Sequence, residues 1–296
     1  MDKKLGFIGL GTMGLPMAKN LLKKEGALLA ADLVAEKKEE IKALGAEIAA
    51  DNKEVAEKSD IIFLSLPTVK AVQFVMEDLL AAAEPGTWIV DTSTNGHQLC
   101  AELCKKAEEK GLYYVDAPVS GGAGKAADGT LSIIVGATEE EMEKEGIAPL
   151  LKDMAKKINY GGIRGAGVAL KIINNMISKG IMYTVGEGVV MAEKLGIDFD
   201  ILYDMVQSSS SGNEIFRIKK EHIQNHDYAP SSKSYAALGT ITIKDMTLAR
   251  ELSDEIGVSA FAITNIIQWY KLAIAEGYGE QDASFIVEML RKANAV

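Results

Sequence analysis

The stretch from Leu5 to Asp32 leaves this chain little freedom in how it folds. A short apolar run, residues 4–9, leads into Gly9-Leu10-Gly11-Thr12-Met13-Gly14, whose glycines have G-x-G-x-x-G spacing. A helix-like segment, LPMAKNLLKKEG, follows and stops at Gly26, and a second apolar run, LLAAD, ends in Asp32. Strand, glycine turn, helix, strand and acid in this order make a dinucleotide-binding unit. Gly9 permits the tight turn, Gly11 lets backbone approach a pyrophosphate, and Gly14 lets helix pack on strand. The phosphates belong at the helix N-terminus, where free N–H groups and the dipole favour anions. Asp32 suits the adenosine ribose hydroxyls and repels a 2′-phosphate, and no Arg or Lys stands in Leu33-Val34-Ala35, so NAD is expected over NADP. Lys37 and Lys38 read as helix-surface lysines.

Strand-like and helical segments keep alternating. DIIFLSLP (60–67), TWIVDTST (87–94), LYYVDAPVSGG (112–122), SIIVGA (132–137) and KINYGG (157–162) read as strands. The helices between them cover 69–80, 96–110 and a segment capped by Thr138. This alternation predicts a doubly wound, mostly parallel sheet of Rossmann type, whose ligands bind beyond the C-terminal strand ends. Three strands end there in Leu66-Pro67-Thr68, Ser93-Thr94 and Ser120-Gly121-Gly122, which points to one crevice.

From Gly165 the pattern changes. Residues 168–195 have helical spacing and no Pro, about twice the usual helix length. Helices are also expected over 198–208, 213–225, 245–256, 259–276 and 281–293. The chain thus divides into a dinucleotide-binding domain (1–163), a long interdomain helix (164–195) and an all-α domain (196–296). The long helix opens as GAGVALKIINNM and carries Lys171 and Asn175 one turn apart, so an ammonium and an amide share one face of an apolar helix. Buried polar groups there need partners or a substrate.

Composition bounds the partners. A net charge of -10 argues against nucleic acid and anionic membranes, which need clustered Lys and Arg. It leaves room for a small carboxylate-bearing substrate held by a few local cations. No apolar run is long enough to span a bilayer and no signal peptide is recognisable, so a cytoplasmic protein is expected. Cys100 and Cys104, the two cysteines, read as ordinary positions on a surface helix. His97 and Cys104 stand roughly 10 Å apart along that helix, too far to share zinc, so no metal is expected. His222 and His226 read as solvent-facing.

The motifs together resemble the β-hydroxyacid dehydrogenases, along the whole chain. The resemblance rests on GFIGLGTMGLPMAKNL (6–21), DAPVSGGAGKAADGTL (116–131), GVALKIINNM (167–176) and IKDM (243–246). It implies that Lys171 is the catalytic lysine and that Asn175 binds substrate. It also implies that Ser120, Gly121 and Gly122 hold the substrate carboxylate, and that Leu66, Pro67 and Thr94 lie on the nicotinamide side. Lys244 matches a lysine reaching the cleft from the helical domain, toward both substrate and cofactor. Its neighbour Asp245 also reads as the N-cap of the following helix. Relatives such as tartronate semialdehyde reductase carry an aromatic residue where this chain has Ala237, which bears on the substrate and not on the reaction. A homodimer or homotetramer is implied as well.

Hydride transfer at an alcohol carbon leaves the hydroxyl proton to manage, and one amine suffices as general acid or base. A free lysine, with a pKa of about 10.4, is a ready acid near neutrality, so reduction should be easier at pH 7 and oxidation should quicken in mild alkali. Consecutive N–H groups at Ser120–Gly122 make an anion site without side-chain charge. Substrates consistent with this chemistry are 3-hydroxyisobutyrate, glycerate with tartronate semialdehyde, 4-hydroxybutyrate and 2-(hydroxymethyl)glutarate, the choice falling to residues around 208–220 and 230–243. The alternative is a non-catalytic NAD-binding sensor or scaffold of the same fold. Imine reductases and sugar-acid 6-phosphate dehydrogenases are further fold relatives. The former generally lack a lysine at the Lys171 position, and the latter need a basic phosphate pocket that this sequence does not show.

Overall fold

A computed structural model describes residues 3–230 and 235–296. They fall into two units, Met1–Lys171 and Ile172–Val296, so the division lies within one continuous helix.

The first unit begins β1 (Leu5–Ile8), α1 (Gly14–Glu25), β2 (Leu29–Ala31), α2 (Ala35–Lys42), β3 (Glu47–Ile48), α3 (Asn52–Lys58) and β4 (Ile61–Leu64). It continues α4 (Val69–Ala82), β5 (Trp88–Asp91), α5 (His97–Glu109) and β6 (Tyr113–Asp116). These six strands form one parallel sheet in the order β3-β2-β1-β4-β5-β6. Side chains alternate across the pleat. Phe7, Ile61, Phe63 and Val90 enter one core, whereas Ile8, Ile62, Leu64 and Ile89 enter the other. Burial on both faces is why these strands read as unbroken apolar runs.

The next elements are β7 (Val119–Ser120), α6 (Gly122–Ala127), β8 (Leu131–Val135), α7 (Glu139–Lys144), α8 (Ile147–Met154) and β9 (Ala155–Tyr160). They correct the expected single strand over 112–122. The chain breaks at Pro118, which has no N–H for a ladder. Val119 and Ser120 then pair antiparallel with β8 in a separate sheet ordered β7-β8-β9. As expected, Thr138 caps α7, its hydroxyl accepting from the Glu141 N–H at 3.1 Å.

The long helix is α9 (Ala166–Lys194), and the second unit adds α10 (Phe199–Ser208), α11 (Glu214–Gln224), α12 (Ile243–Glu255), α13 (Phe261–Ala275) and α14 (Ile286–Asn294). A π-helical turn, Leu238–Thr242, leads into α12, and a 3-10 turn, Ala283–Phe285, leads into α14. Two buried charge clusters hold this unit together. Arg291 of α14 donates to Glu193 of α9 at 2.5 Å and also pairs with Glu288. Lys219 of α11 donates to Asp282 at 2.7 Å, with side chains 8% and 0% exposed. No helix among the described residues is long and apolar enough to cross a membrane.

Candidate functional site

The glycine turn has the shape its spacing predicts. Gly9 has φ +97°, and a Cβ there would lie 2.3 Å from the Ser65 carbonyl oxygen. A Cβ on Gly14 would sit 1.9 Å from the Gly9 carbonyl oxygen, so only glycine lets α1 start this close to β1. Asp32, just past β2, closes the turn from the other side. One of its carboxylate oxygens accepts from the Leu10 N–H at 2.5 Å and the other from the Val34 N–H at 2.7 Å. This places negative charge beside the loop Gly9-Leu10-Gly11-Thr12-Met13-Gly14. Lys37 pairs with Glu40 at 3.4 Å on the surface of α2.

Three observations test whether these residues fit a dinucleotide. A Cβ on Gly11 would meet nothing within 4 Å, so that side of the loop has room for a ligand. No side chain caps α1 and its first turn holds no acid; the Leu15 N–H goes to the Gly11 carbonyl at 3.1 Å and Pro16 has none, which leaves the Gly14 N–H to an anion. Finally, Asn95 Oδ1, beside Thr94, is buried and finds no partner among the described residues. The site therefore fits NAD. We expect Gly11→Val to melt within a few degrees of wild type yet bind NAD at least about tenfold more weakly, a loss of about 1.4 kcal/mol. A fluorescence titration showing unchanged affinity would remove Gly11 from the phosphate site.

The strand ends are wired together by two aspartates that the sequence reading passed over. Asp91, at the end of β5, accepts from the Ser93 N–H at 2.9 Å, from Asn95 Nδ2 at 2.6 Å and from the Tyr114 hydroxyl at 2.7 Å. Burial pushes its carboxyl above the usual range, and the Ser93 and Tyr114 hydrogen bonds pull it back. Ser93 Oγ in turn accepts from the Leu66 N–H at 2.9 Å, which brings Leu66-Pro67 beside Ser93-Thr94.

Asp116, opposite Asp91 in the sheet register, reaches the first turn of α9. Its two carboxylate oxygens accept from the Gly165 and Val168 N–H groups, each at 2.8 Å. A carboxylate there satisfies orphan donors and complements the helix dipole. Gly167 completes the join, since a Cβ on it would lie 2.5 Å from the Ile134 carbonyl oxygen and 2.8 Å from that of Asp116. Lys171 follows one turn later on the Gly167 side of α9 and is 9% exposed. Asp116 thus fixes where Lys171 stands. The signal was present in the DAPVSGG motif, but nothing in a sequence says which acid meets which helix end.

Ser120 lies on β7, and Gly121 and Gly122 follow with φ +139° and +74°, leading into α6. In the second unit Asn175 Nδ2 donates to Asp245 Oδ2 at 2.9 Å, tying α12 to α9. This corrects the expected N-cap role for Asp245. The π-helical turn carries straight into α12, so Asp245 sits inside its first turn, buried, with its carboxylate turned to Asn175. Lys244 is accordingly a half-buried helix residue.

Two further expectations are corrected. His222 is buried, its Nδ1 2.6 Å from the Asp227 carbonyl oxygen, because the chain folds back there, whereas His226 is exposed as read. Cys100 faces the core and only Cys104 is partly exposed, and both thiols are free. Ala237 is buried, and its backbone bridges to Asp282. Of the segments expected to choose the substrate, 231–234 lie outside the described residues.

The family model for the NAD-binding domain of 6-phosphogluconate dehydrogenase matches residues 4–162. That for the NAD-binding region of NADP-dependent 3-hydroxyisobutyrate dehydrogenase matches residues 165–290. The chain is 37% identical to 2-(hydroxymethyl)glutarate dehydrogenase of Eubacterium barkeri, over 99% of this chain and 96% of that protein. It is 32% identical to an NAD-dependent L-serine dehydrogenase of Pseudomonas aeruginosa, over 97% of each. Among solved structures, 3-hydroxyisobutyrate dehydrogenase of Mycobacterium tuberculosis with L-serine matches at TM-score 0.88 and 30% identity, covering 98% of this chain and all of that one. L-serine, itself a β-hydroxy acid, was not among the substrates considered from sequence. The chain belongs to the β-hydroxyacid dehydrogenase family and is an NAD-binding oxidoreductase.

Proposed function

We propose that the protein interconverts a short β-hydroxy acid and its semialdehyde with NAD, with Lys171 as the general acid and base. The observation that carries this reading is a buried lysine on the face of α9 that Gly167 and Asp116 set against the strand ends. The nicotinamide, when bound, accepts or supplies the hydride. Lys171 takes the hydroxyl proton in oxidation and returns it to the carbonyl oxygen in reduction. Asn175, held by Asp245, orients the substrate, and the N–H groups of Ser120, Gly121 and Gly122 receive its carboxylate. Lys244 adds positive charge from α12 toward substrate and cofactor. Leu66, Pro67 and Thr94 contact the nicotinamide side, and Asp32 takes the adenosine ribose and disfavours NADP.

In the same reading residues 1–163 hold the cofactor, 164–195 form the catalytic helix, and 196–296 close over the substrate and mediate assembly. Assembly as a homodimer or homotetramer is supported by an apolar stripe exposed along α9. Leu170, Ile173, Ile177 and Met191 lie on it, with open space beside Gly180 and Gly188 for a neighbouring helix. Light scattering that returned a monomer at micromolar concentration would end that part of the proposal. Two free thiols agree with a cytoplasmic protein.

The test is a panel of 3-hydroxyisobutyrate, L-serine, glycerate, 4-hydroxybutyrate and 2-(hydroxymethyl)glutarate with NAD and with NADP, followed by the absorbance of the reduced nicotinamide. Turnover of at least one acid, with NAD preferred, is expected. Tight NAD binding without turnover on any acid would favour the sensor or scaffold.

A further inference from the structure

The face of α9 that carries Lys171 and Asn175 carries a third polar residue, Lys179, one turn beyond Asn175. Side chains in a helix lean toward its N-terminus, so the Lys179 stem points back toward the level of Asn175. Its charged neighbours are Asp245, Lys219 and Asp282. Two of these are committed elsewhere. Asp282 accepts from Lys219 at 2.7 Å, from the Ala236 N–H at 2.8 Å, and from the Ser284 N–H and hydroxyl at 2.9 and 2.5 Å. Its four acceptor positions are filled, and the charge of Lys219 is answered. Asp245 has one carboxylate oxygen on Asn175.

Lys179 itself makes no ion pair or hydrogen bond among the described residues, although it is only partly exposed. Burial holds its ammonium below the usual lysine range, against the attraction of Asp245. A desolvated cation without a bonded counter-ion binds a carboxylate strongly, because the cost of taking it out of water is already met by the fold. Here the α9 stripe continues past the reacting carbon with a second positive charge.

We infer that Lys179 is a subsite for the distal carboxylate of the substrate, and that the substrate is a hydroxy dicarboxylic acid. The inference rests on the proposed role of Lys171 and Asn175, and it narrows the substrate class. The hydroxyl carbon is served at Lys171, and the remote carboxylate extends along α9 to the ammonium of Lys179. Lys171 and Lys179 are roughly 12 Å apart along the helix axis, and because both stems lean toward the N-terminus their ammonium groups keep about that spacing, which an extended acid of four to six carbons bridges from hydroxyl to remote carboxylate. Asp245 holds Asn175 between them.

The test compares 2-(hydroxymethyl)glutarate with 3-hydroxyisobutyrate on the wild-type protein and on Lys179→Gln, with Lys179→Arg as the charge-preserving control. The wild type should favour the dicarboxylate in kcat/KM. In Lys179→Gln that preference should fall at least about tenfold, mainly through KM for the dicarboxylate, and Lys179→Arg should restore part of it. Glutarate should inhibit the wild type at least about tenfold better than butyrate, which needs no variant. A wild type that favours the monocarboxylate, or an equal loss for both substrates in Lys179→Gln, overturns the subsite and leaves the general reading standing. No turnover of either acid together with no inhibition by glutarate also overturns it, and loss of turnover across the whole panel would remove the dehydrogenase reading itself.

Discussion

Lys171→Met should lose about a thousandfold in kcat while still binding NAD, within the range of roughly 10²–10⁴-fold ascribed to a positioned acid or base. Met keeps the length and apolar bulk of the lysine stem, so α9 should remain seated on Asp116 and Gly167. What disappears is the group that exchanges the hydroxyl proton. The pH dependence supplies a second readout. A lysine must be neutral to act as base, so oxidation by the wild type should quicken in mild alkali. Reduction needs the ammonium and should fall over the same range. In Lys171→Met the residual rate should lose both dependences. Wild-type turnover in this variant, measured beside an unchanged NAD titration, would show that another group carries the proton.

Lys219→Met should destabilise the protein by about 3–5 kcal/mol at pH 7, the cost of stripping a buried ion of its partner. Asp282 would be left buried, holding Ser284 and the Ala236 N–H but no bonded cation. Burial alone would raise the Asp282 carboxyl, but the charge and hydrogen bond of Lys219 and the donors of Ser284 bring it below the unfolded value of 3.8. A depressed carboxylate contributes stability that is present above the unfolded value and is lost as pH falls through the folded one. The wild type should therefore lose this contribution only below about pH 4. In the variant, burial is no longer opposed by Lys219, so Asp282 protonates at higher pH and its penalty is relieved on acidification. The gap between the two proteins should shrink as pH drops from 7 to 4, which urea melts at the two pH values would show. A difference under about 1 kcal/mol at pH 7 would mean that the pair is dispensable.

Much of this protein was legible because local chemistry carries it. The glycines before α1 have one workable arrangement, since Gly14 must nearly touch Gly9 and Gly11 must stay open. Strand positions followed from apolar runs buried on both faces, and α9 from its uninterrupted helical period. Where local cues were ambiguous, the reading slipped. Pro118 redirected one apparent strand into two sheets, and the π-helical turn before α12 placed Asp245 inside a helix. His222 looked polar and exposed, but the chain folds back over it.

Sequence by itself determined the dinucleotide unit, the helical second half, and the pairing of Lys171 with Asn175 on one face. These depend on residues close along the chain, whose spacing fixes their relative direction. Tertiary structure alone decided what holds them. Asp116 reaches α9 from 49 and 52 residues away, Asp245 reaches Asn175 from 70, and Lys219 meets Asp282 across 63. Contacts at such separations arise only once the sheet and the helices have packed, because nothing in the intervening chain specifies which carboxylate will meet which donor.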